Sequence, residues 1–416
     1  MADRSNELSV PGVEFDESWY LKAYPDIAQA IRAGIESSGL SHYLKFGRAE
    51  GRLPYLFDPT WYASTYPGVA EEAGGTEAHL LYRHFRSIGA PRGYRPHPKA
   101  DRPKDAAAIE SAFGGLWIDH ANATDLIAGK RDIGRIDARQ AALLSFFVKH
   151  GYVIVSGLIP PALVDRAEEA LHAAYAGKIG NLLFECPRIS AGHCAWAADV
   201  CNSPAKALDL HWLSNAVRDI VLCEAVTDFL HLVFERRALV SQTLGFWRGS
   251  AQPLHQDSAY VPYSLPRNFV ASWVALEDVV AGAGELEYLP GSHRALSEFS
   301  YPGGYKSVFE SARNGTAEAA AAAVPVHGRQ ITIEGRRLSL APERFLAKRG
   351  DVLFWHSDLA HGGSPISTSR TRKSLVTHYC PREVAPLFFE QTPARVCRHA
   401  SGDYYTSGVY VGRVPA

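Results

Sequence analysis

No stretch of this chain approaches the roughly 18 consecutive apolar residues that a helix needs to cross a bilayer. Its first ten residues, MADRSNELSV, hold no apolar core of the kind a secretion signal carries. A membrane span and a signal peptide are therefore not expected. An excess of charge is missing too: 43 Lys and Arg balance 44 Asp and Glu, a formal net charge of -1. That balance gives no support for a nucleic acid or an anionic membrane as partner. The six cysteines (Cys186, Cys194, Cys201, Cys223, Cys380, Cys397) include no Cys-x-x-Cys pair. Without a secretion signal they read as free thiols in a reducing compartment, and the protein as cytoplasmic. Cys186, His193 and Cys194 come nearest to a zinc cluster, but their spacing is poor. What remains is a soluble globular composition, 46% hydrophobic and 21% charged over 416 residues, long enough for two or three domains.

What the chain does have is an internal repeat. FDESWYLKAYPDIA starts at Phe15 and FDPTWYASTYPGVA at Phe57, an offset of 42. The same offset carries Trp19 to Trp61, Tyr20 to Tyr62, Tyr24 to Tyr66, Pro25 to Pro67, His42 to His84, Gly47 to Gly89, Gly51 to Gly93 and Pro54 to Pro96. Each copy reads as a short helix bearing Trp-Tyr, a Tyr-Pro turn, a second helix ending in His-Tyr or His-Phe, and a glycine-rich close. Asp16 and Asp58 are the expected helix N-caps. The aromatics read as the core of a small helical unit, with a stacking surface for sugar or base faces as the alternative. The motif FD-x-x-WY-x-x-x-YP resembles a repeat attached to bacterial glycosyltransferases and methyltransferases of surface-polysaccharide assembly. That resemblance implies a glycan or cell-envelope setting, not a reaction.

Residues 99–106, polar and with a proline, read as a linker. A second domain follows over 107–416. Its first part is helical: Arg139 to Lys149, a helix opened by Pro160-Pro161, and Val217 to Glu235. Tyr152 to Ser156 is an early strand, and residues 178–212 read as an irregular loop near the site. From Ala238 the pattern changes to short strands: Ala238 to Tyr260, Phe269 to Glu277, Glu285 to Leu289, Val352 to Trp355 and Ser374 to Tyr379. Helices first and strands afterwards predict an α+β domain with a strand-rich sandwich or barrel core. Residues 295–347 interrupt it as an insertion over the site mouth, either lid or disordered decoration. The tail, residues 383–416 with Tyr404, Tyr405 and Tyr410, is left undecided.

The chemistry concentrates on LHQDSAY, Leu254 to Tyr260. On a strand, His255 and Asp257 would point to one face. His361, at the end of RGDVLFWHSDLAHGGSP, is the third ligand, with His356 as its competitor. Arg372, eleven residues beyond His361, could hold a carboxylate with two parallel hydrogen bonds, with Arg370 as competitor. Two histidines and one carboxylate with open positions on the metal suit non-haem Fe(II). The absence of thiolates disfavours a structural zinc site. Phe246, Trp273 and Phe354 would exclude water.

The segments GYVIVSGLIPPALVD, LHQDSAYVPY, ASWVALEDV, GELEYLPGSHR and GDVLFWHSDLAHGGSP followed by TRKSL together resemble the phytanoyl-CoA dioxygenase family over about 107–382. The resemblance implies a double-stranded β-helix (jelly-roll) core with flanking helices, and Fe(II) and 2-oxoglutarate as cofactors. It matches His255, Asp257 and His361 to the iron ligands and Arg372 to the 2-oxoglutarate anchor. Trp273, Ser374 and Tyr260 are placed with the cofactor-binding residues, and His293 of the PGSH turn as structural. Ser364, Pro365 and Ile366 stand where relatives commonly carry Asn. Halogenating relatives lack the carboxylate, so Asp257 points to a hydroxylase or other oxidase. The expected substrate is a small molecule or glycan-linked, with an acyl-CoA or carrier-bound acyl or amino-acid substrate as alternative. The rivals of other classes are a zinc hydrolase and a non-catalytic glycan-binding protein with a vestigial oxygenase domain.

Overall fold

A computed structural model describes residues 15, 17–54, 56–66, 68–89, 94, 113–186, 193–302, 304–388, 395–411 and 413–415. The chain divides into two compact units, Met1–Ala108 and Ile109–Ala416. The expected linker lies outside the described residues, as do Asp16, Pro67, Gly93 and Pro96 of the repeat.

In the first unit the two repeat copies fold alike. Helices Glu17–Ala23, Pro25–Arg32 and Gly39–His42 are followed by a π-turn, Tyr43–Gly47. Helices Pro59–Thr65, Val69–Ala73 and Ala78–His84 are followed by Phe85–Gly89. The Asp58 side chain caps its helix by accepting from Trp61 N at 2.9 Å. The repeated Tyr and His are partners: Tyr20 Oη lies 3.1 Å from His42 Nδ1, and Tyr62 Oη 3.0 Å from His84 Nδ1. The repeated glycines complete the set, because a Cβ at Gly47 or Gly89 would strike the Tyr20 or Tyr62 hydroxyl. The aromatics form two small cores, one around Tyr20, Ile27 and Tyr43 and one around Phe57, Tyr62, Val69, Leu81 and Phe85.

The second unit is a jelly roll of two facing sheets. Its strands are β1 Tyr152–Val155, β2 Leu183–Glu185, β3 His193–Ala195, β4 Lys206–Leu208, β5 Ala238–Phe246, β6 Val270–Ala275, β7 Leu286–Tyr288, β8 Glu343–Phe345, β9 Val352–His356, β10 His361–Gly363, β11 Ser374–Pro381, β12 Cys397–Arg398 and β13 Tyr404–Tyr405. The large sheet runs β1-β9-β6-β11-β5-β4-β2-β3, with the β12–β13 pair attached to β5; the small sheet runs β10-β7-β8. Neighbours are antiparallel except β13 against β5.

Strand β6, VASWVA, is buried along its whole length because both faces are covered. Val270 and Val274 face the helical layer, and Ala271, Trp273 and Ala275 face the small sheet. In the helical layer, Ala138–His150 opens on a capping box: Asp137 Oδ1 accepts from Gln140 N at 2.7 Å and Gln140 Oε1 from Asp137 N at 2.9 Å. It closes on Gly151 at φ 77° and buries Ala141, Leu144 and Phe147. Pro161–Tyr175 buries Val164, Ala167 and Leu171 beside it.

Several expectations are corrected. The helix expected over Val217–Glu235 is two helices, Asn215–Val221 and Glu224–Phe234. Leu222 and Cys223 break it without a Gly or Pro to mark the place. Ala238 to Tyr260 is one nine-residue strand, β5, followed by irregular chain. The loop expected over 178–212 contains β2, β3 and β4. Segment 295–347 is ordered around the 21-residue helix Ala317–Arg337, and its last residues, β8, belong to the small sheet. Cys186 and Cys194 are not free thiols but a disulfide, Cα–Cα 6.5 Å, because the β2–β3 hairpin brings them together. The tail packs on the core: Tyr405 and Tyr410 are buried, and Leu183 N donates to Tyr410 Oη at 2.9 Å. Among the described residues no helix is long and apolar enough to cross a membrane.

Candidate metal centre

His255 and His361 face each other across an antiparallel bridge that adds a residue to the edge of β10. His255 N donates to His361 O at 2.9 Å and His361 N returns to His255 O at 3.0 Å. Gly362 allows this approach, since a Cβ there would lie 2.6 Å from Gln252 O. The spacing predicts His255 and Asp257 on one strand, but Asp257 does not share a strand with His255. It begins a 3-10 turn, Asp257–Ala259, fixed by Ser258 N donating to Ser357 O at 3.1 Å. The turn does what alternation was expected to do. Asp257 Oδ1 lies 3.6 Å from His255 Nε2 and 3.5 Å from His361 Nε2. One ligand atom from each of the three residues lies within 4.8 Å of the others.

The other atoms of these groups are occupied. His255 Nδ1 lies 2.9 Å from Pro253 O and His361 Nδ1 2.9 Å from Leu359 O. A carbonyl can only accept, so each Nδ1 carries the proton and each Nε2 turns a lone pair to the centre. Asp257 Oδ2 accepts from Trp355 Nε1 at 2.8 Å and from His378 Nε2 at 3.2 Å, which leaves Oδ1 facing the centre. Burial opposes the Asp257 charge, but His361 and His378 outweigh it and hold the carboxyl well below its usual range. Burial lowers His361 to about 4, so it is neutral at pH 7. A neutral imidazole and an ionised carboxylate are the states that metal binding needs. The donor set of two imidazoles and one carboxylate, without thiolate, suits Fe(II).

Arg372 is 2% exposed, and its Nη1 donates to Gly284 O at 2.7 Å. Its guanidinium lies 5.1 Å from the Phe246 ring and 5.7 Å from the Trp273 ring. Among the described residues no carboxylate lies within salt-bridge distance of it; burial lowers it to about 10, more than the nearby Glu285 carboxylate raises it. Its Nε, Trp273 Nε1 and Ser364 Oγ are buried without hydrogen-bond partners. A buried cation beside unpaired donors is a site built for an anion.

The three ligands and Arg372 line one cavity of about 750 Å³, whose wall also includes Trp273, Tyr260 and Phe246. Tyr260 stands edge-on to His255, ring centroids 5.6 Å apart. Ser374 is a correction: it is fully buried, its hydroxyl returns to Arg372 O at 3.5 Å, and it does not reach the cavity wall. Phe354 is another, because it faces the helices and packs on Phe229 at 4.6 Å. Arg370 is exposed. His356 lies on the helical face of β9 with Nε2 3.1 Å from Asp119 Oδ2, and His293 Nε2 lies 3.1 Å from Val148 O.

Sequence reasoning missed Trp355, His378, Gln242, Gln252, Lys206 and Asp209, all on the wall. His378 was within reach: counting by two from Arg372 gives 374, 376 and 378 on one face. Gly408, Val409, Val411 and Arg413 bring the tail to the same cavity.

The family model for phytanoyl-CoA dioxygenase (PhyH) matches residues 147–374. The human protein "Phytanoyl-CoA dioxygenase, peroxisomal" is 30% identical over 134 residues, 31% of this chain and 33% of its own length. A Caenorhabditis elegans protein, "Probable phytanoyl-CoA dioxygenase", is 28% identical over 135 residues, 31% of this chain and 36% of its own length. The alignments thus span about a third of these relatives. Among solved structures, the non-heme alpha ketoglutarate dependent carbocyclase SnoK from nogalamycin biosynthesis aligns at 16% identity and TM-score 0.47, over 65% of this chain and 97% of that one.

Proposed function

The chain belongs to the phytanoyl-CoA dioxygenase family, and from that premise we propose that it is an Fe(II)- and 2-oxoglutarate-dependent oxygenase that hydroxylates or otherwise oxidises a small-molecule or glycan-linked substrate. One observation carries the reading. Three metal-ligating atoms converge with their far sides already hydrogen-bonded, in the same cavity as a buried arginine that, among the described residues, has no carboxylate in salt-bridge contact.

His255 Nε2, Asp257 Oδ1 and His361 Nε2 would hold the iron. Arg372 would hold the distal carboxylate of 2-oxoglutarate, assisted by the unpaired indole N–H of Trp273 on the same wall. Iron and 2-oxoglutarate together supply oxidative decarboxylation of the keto acid and an oxidant that takes hydrogen from a C–H bond. The protein keeps the ligands in the right tautomer and charge state. Phe246, Trp273, Leu286 and Val376 give the cavity an apolar wall that limits water. The unpaired cation also weighs against a zinc hydrolase, which has no need of one.

The repeat unit supports a glycan-linked substrate through its resemblance to units of polysaccharide assembly. The apolar side chains Phe309, Phe388, Val409 and Val411 on the cavity wall favour an acyl thioester as the second reading. The test is incubation with Fe(II), 2-oxoglutarate and air, measuring succinate and a product heavier by one oxygen across sugars, nucleotide sugars and acyl thioesters. His255→Ala and Arg372→Ala lose turnover. Normal turnover in Arg372→Ala refutes the assignment of the anion site.

A further inference from the structure

We propose that Lys306 is a positioning residue for the metal triad, and that docking of segment 297–311 and metal loading are one coupled equilibrium. The inference rests on reading the triad as a metal site.

Lys306 is a lysine in the interior, 4% exposed. Its ammonium lies 3.1 Å from Asp358 Oδ2 and donates to Ser297 O at 2.7 Å and Phe299 O at 3.1 Å. An ammonium has three protons to donate, and three acceptors of this protein surround it. Two of those acceptors belong to the segment itself and one to the core. Lys306 therefore closes segment 297–306 into a loop and fastens that loop to Asp358.

Asp358 sits in the turn between β9 and β10, three residues before His361. Arg267 Nε lies 2.8 Å from its Oδ2. Its Oδ1 accepts from Ser258 Oγ, and Ser258 follows Asp257 directly. Gln256, between the ligands His255 and Asp257, donates through Nε2 to Asp358 O at 2.9 Å and to Leu296 O at 3.1 Å. One carboxylate thus joins the turn that delivers His361, the turn that delivers Asp257, and the segment pinned by Lys306. The same segment leads into the helix Val308–Ser311, whose Phe309 lines the cavity.

Groups behind the ligands fix their aim, and removing one commonly lowers metal affinity by about 10–100-fold. Thermodynamic reciprocity then demands the converse: metal that needs these two turns in place must tighten the segment bound to them. A buried ion pair that merely holds the fold together makes no such demand.

The test uses Mn(II) as probe with the full chain. Binding is followed by loss of the free-ion EPR signal, and hydrogen exchange is followed in peptides covering 297–311 and 357–361. In the wild type, Mn(II) is expected to slow exchange in both. Lys306→Met, which keeps the side-chain stem, is expected to weaken Mn(II) binding about tenfold or more, and Lys306→Arg to restore most of it. Ser258→Ala, which removes the Asp257-side link without stranding a charge, should move affinity in the same direction. These covariant shifts support the pin. Wild-type binding of Mn(II) without any change of exchange in 297–311, or unaltered affinity in Lys306→Met and Ser258→Ala, overturns it and leaves the metal reading intact. A wild type that takes no Mn(II) or Fe(II) overturns both. The exchange measurement needs no variant, so a Lys306→Met protein that fails to fold still leaves the coupling decided.

Discussion

The unpartnered arginine gives the sharpest prediction, because function and stability should move apart when it is removed. Burial lowers Arg372 from its ordinary value to about 10. That difference corresponds to about 3 kcal/mol against keeping the cation in the folded protein. Folded and unfolded states are both charged below pH 10, so the whole cost is present at pH 7 and is released only as pH rises from about 10 towards the ordinary arginine value. Arg372→Met removes it. The variant also loses the hydrogen bond to Gly284 O and the contacts with Phe246 and Trp273, together about 2–3 kcal/mol. The net change in the ligand-free protein is therefore near zero. An arginine already paired inside the protein behaves otherwise, since breaking a buried pair costs about 3–5 kcal/mol. Ligand binding responds in the opposite sense. Losing one partner of a buried charge pair costs about 2–5 kcal/mol, so 2-oxoglutarate affinity falls about thirty-fold or more. The assay is thermal unfolding in the presence of Mn(II) with and without 2-oxoglutarate. At a hundred times its dissociation constant the keto acid stabilises the wild type by about 2.7 kcal/mol, a rise of about 5 °C. The variant at that concentration should show the wild-type melting point without 2-oxoglutarate and little shift with it. A large loss of ligand-free stability, or a retained shift, refutes the reasoning.

Three further outcomes are expected. Trp355→Phe removes one donor to Asp257 Oδ2 while His378 keeps the other; Mn(II) affinity should fall about tenfold, read by titration, with the fold intact. Burial raises the Asp209 carboxyl to about 7. Between about pH 4 and 7 the folded chain holds a proton there that the unfolded chain has released, so this group lowers stability as pH rises through that window. Asp209→Asn removes that slope, and urea unfolding at pH 5 and pH 8 should show the variant gaining on the wild type, by at most about 3 kcal/mol; parallel pH profiles contradict it. Gly89→Ala forces a methyl onto the Tyr62 hydroxyl, and should destabilise the first unit by about 1–3 kcal/mol without changing Mn(II) binding, as followed by circular dichroism and titration.

The reach of local pattern is visible in particular residues. Both repeat copies share one offset, and that offset recovers Tyr, His and Gly as a mutually packed set because each copy builds its own small core. The positions of His255, Asp257, His361 and Arg372 were readable because their spacing along the chain follows the strands and turns that carry them.

Which face a side chain takes was not readable on β9. That strand is buried on both faces, so its hydrophobicity does not alternate, and Phe354 looks no different from Trp355. The break at Leu222 and Cys223 ends the apolar run Ile220 to Cys223 and carries no Gly or Pro. Asp257 takes its donors from positions 98 and 121 residues away, and Cys186 meets Cys194 only through a hairpin. The sequence by itself brought out the repeat, most of the later strands, and His255, Asp257, His361 and Arg372 as candidates that the structure brings to one cavity, because residue chemistry and the resemblance of the segments that carry them suffice for these. Tertiary structure decided the rest: that a turn, not a strand, aims Asp257; that Trp355 and His378 take its second oxygen; that the Ser374 hydroxyl returns to Arg372 O; and that a lysine from the inserted segment reaches the turn behind His361. Those facts depend on which distant segments the two sheets press together, and no local pattern records that.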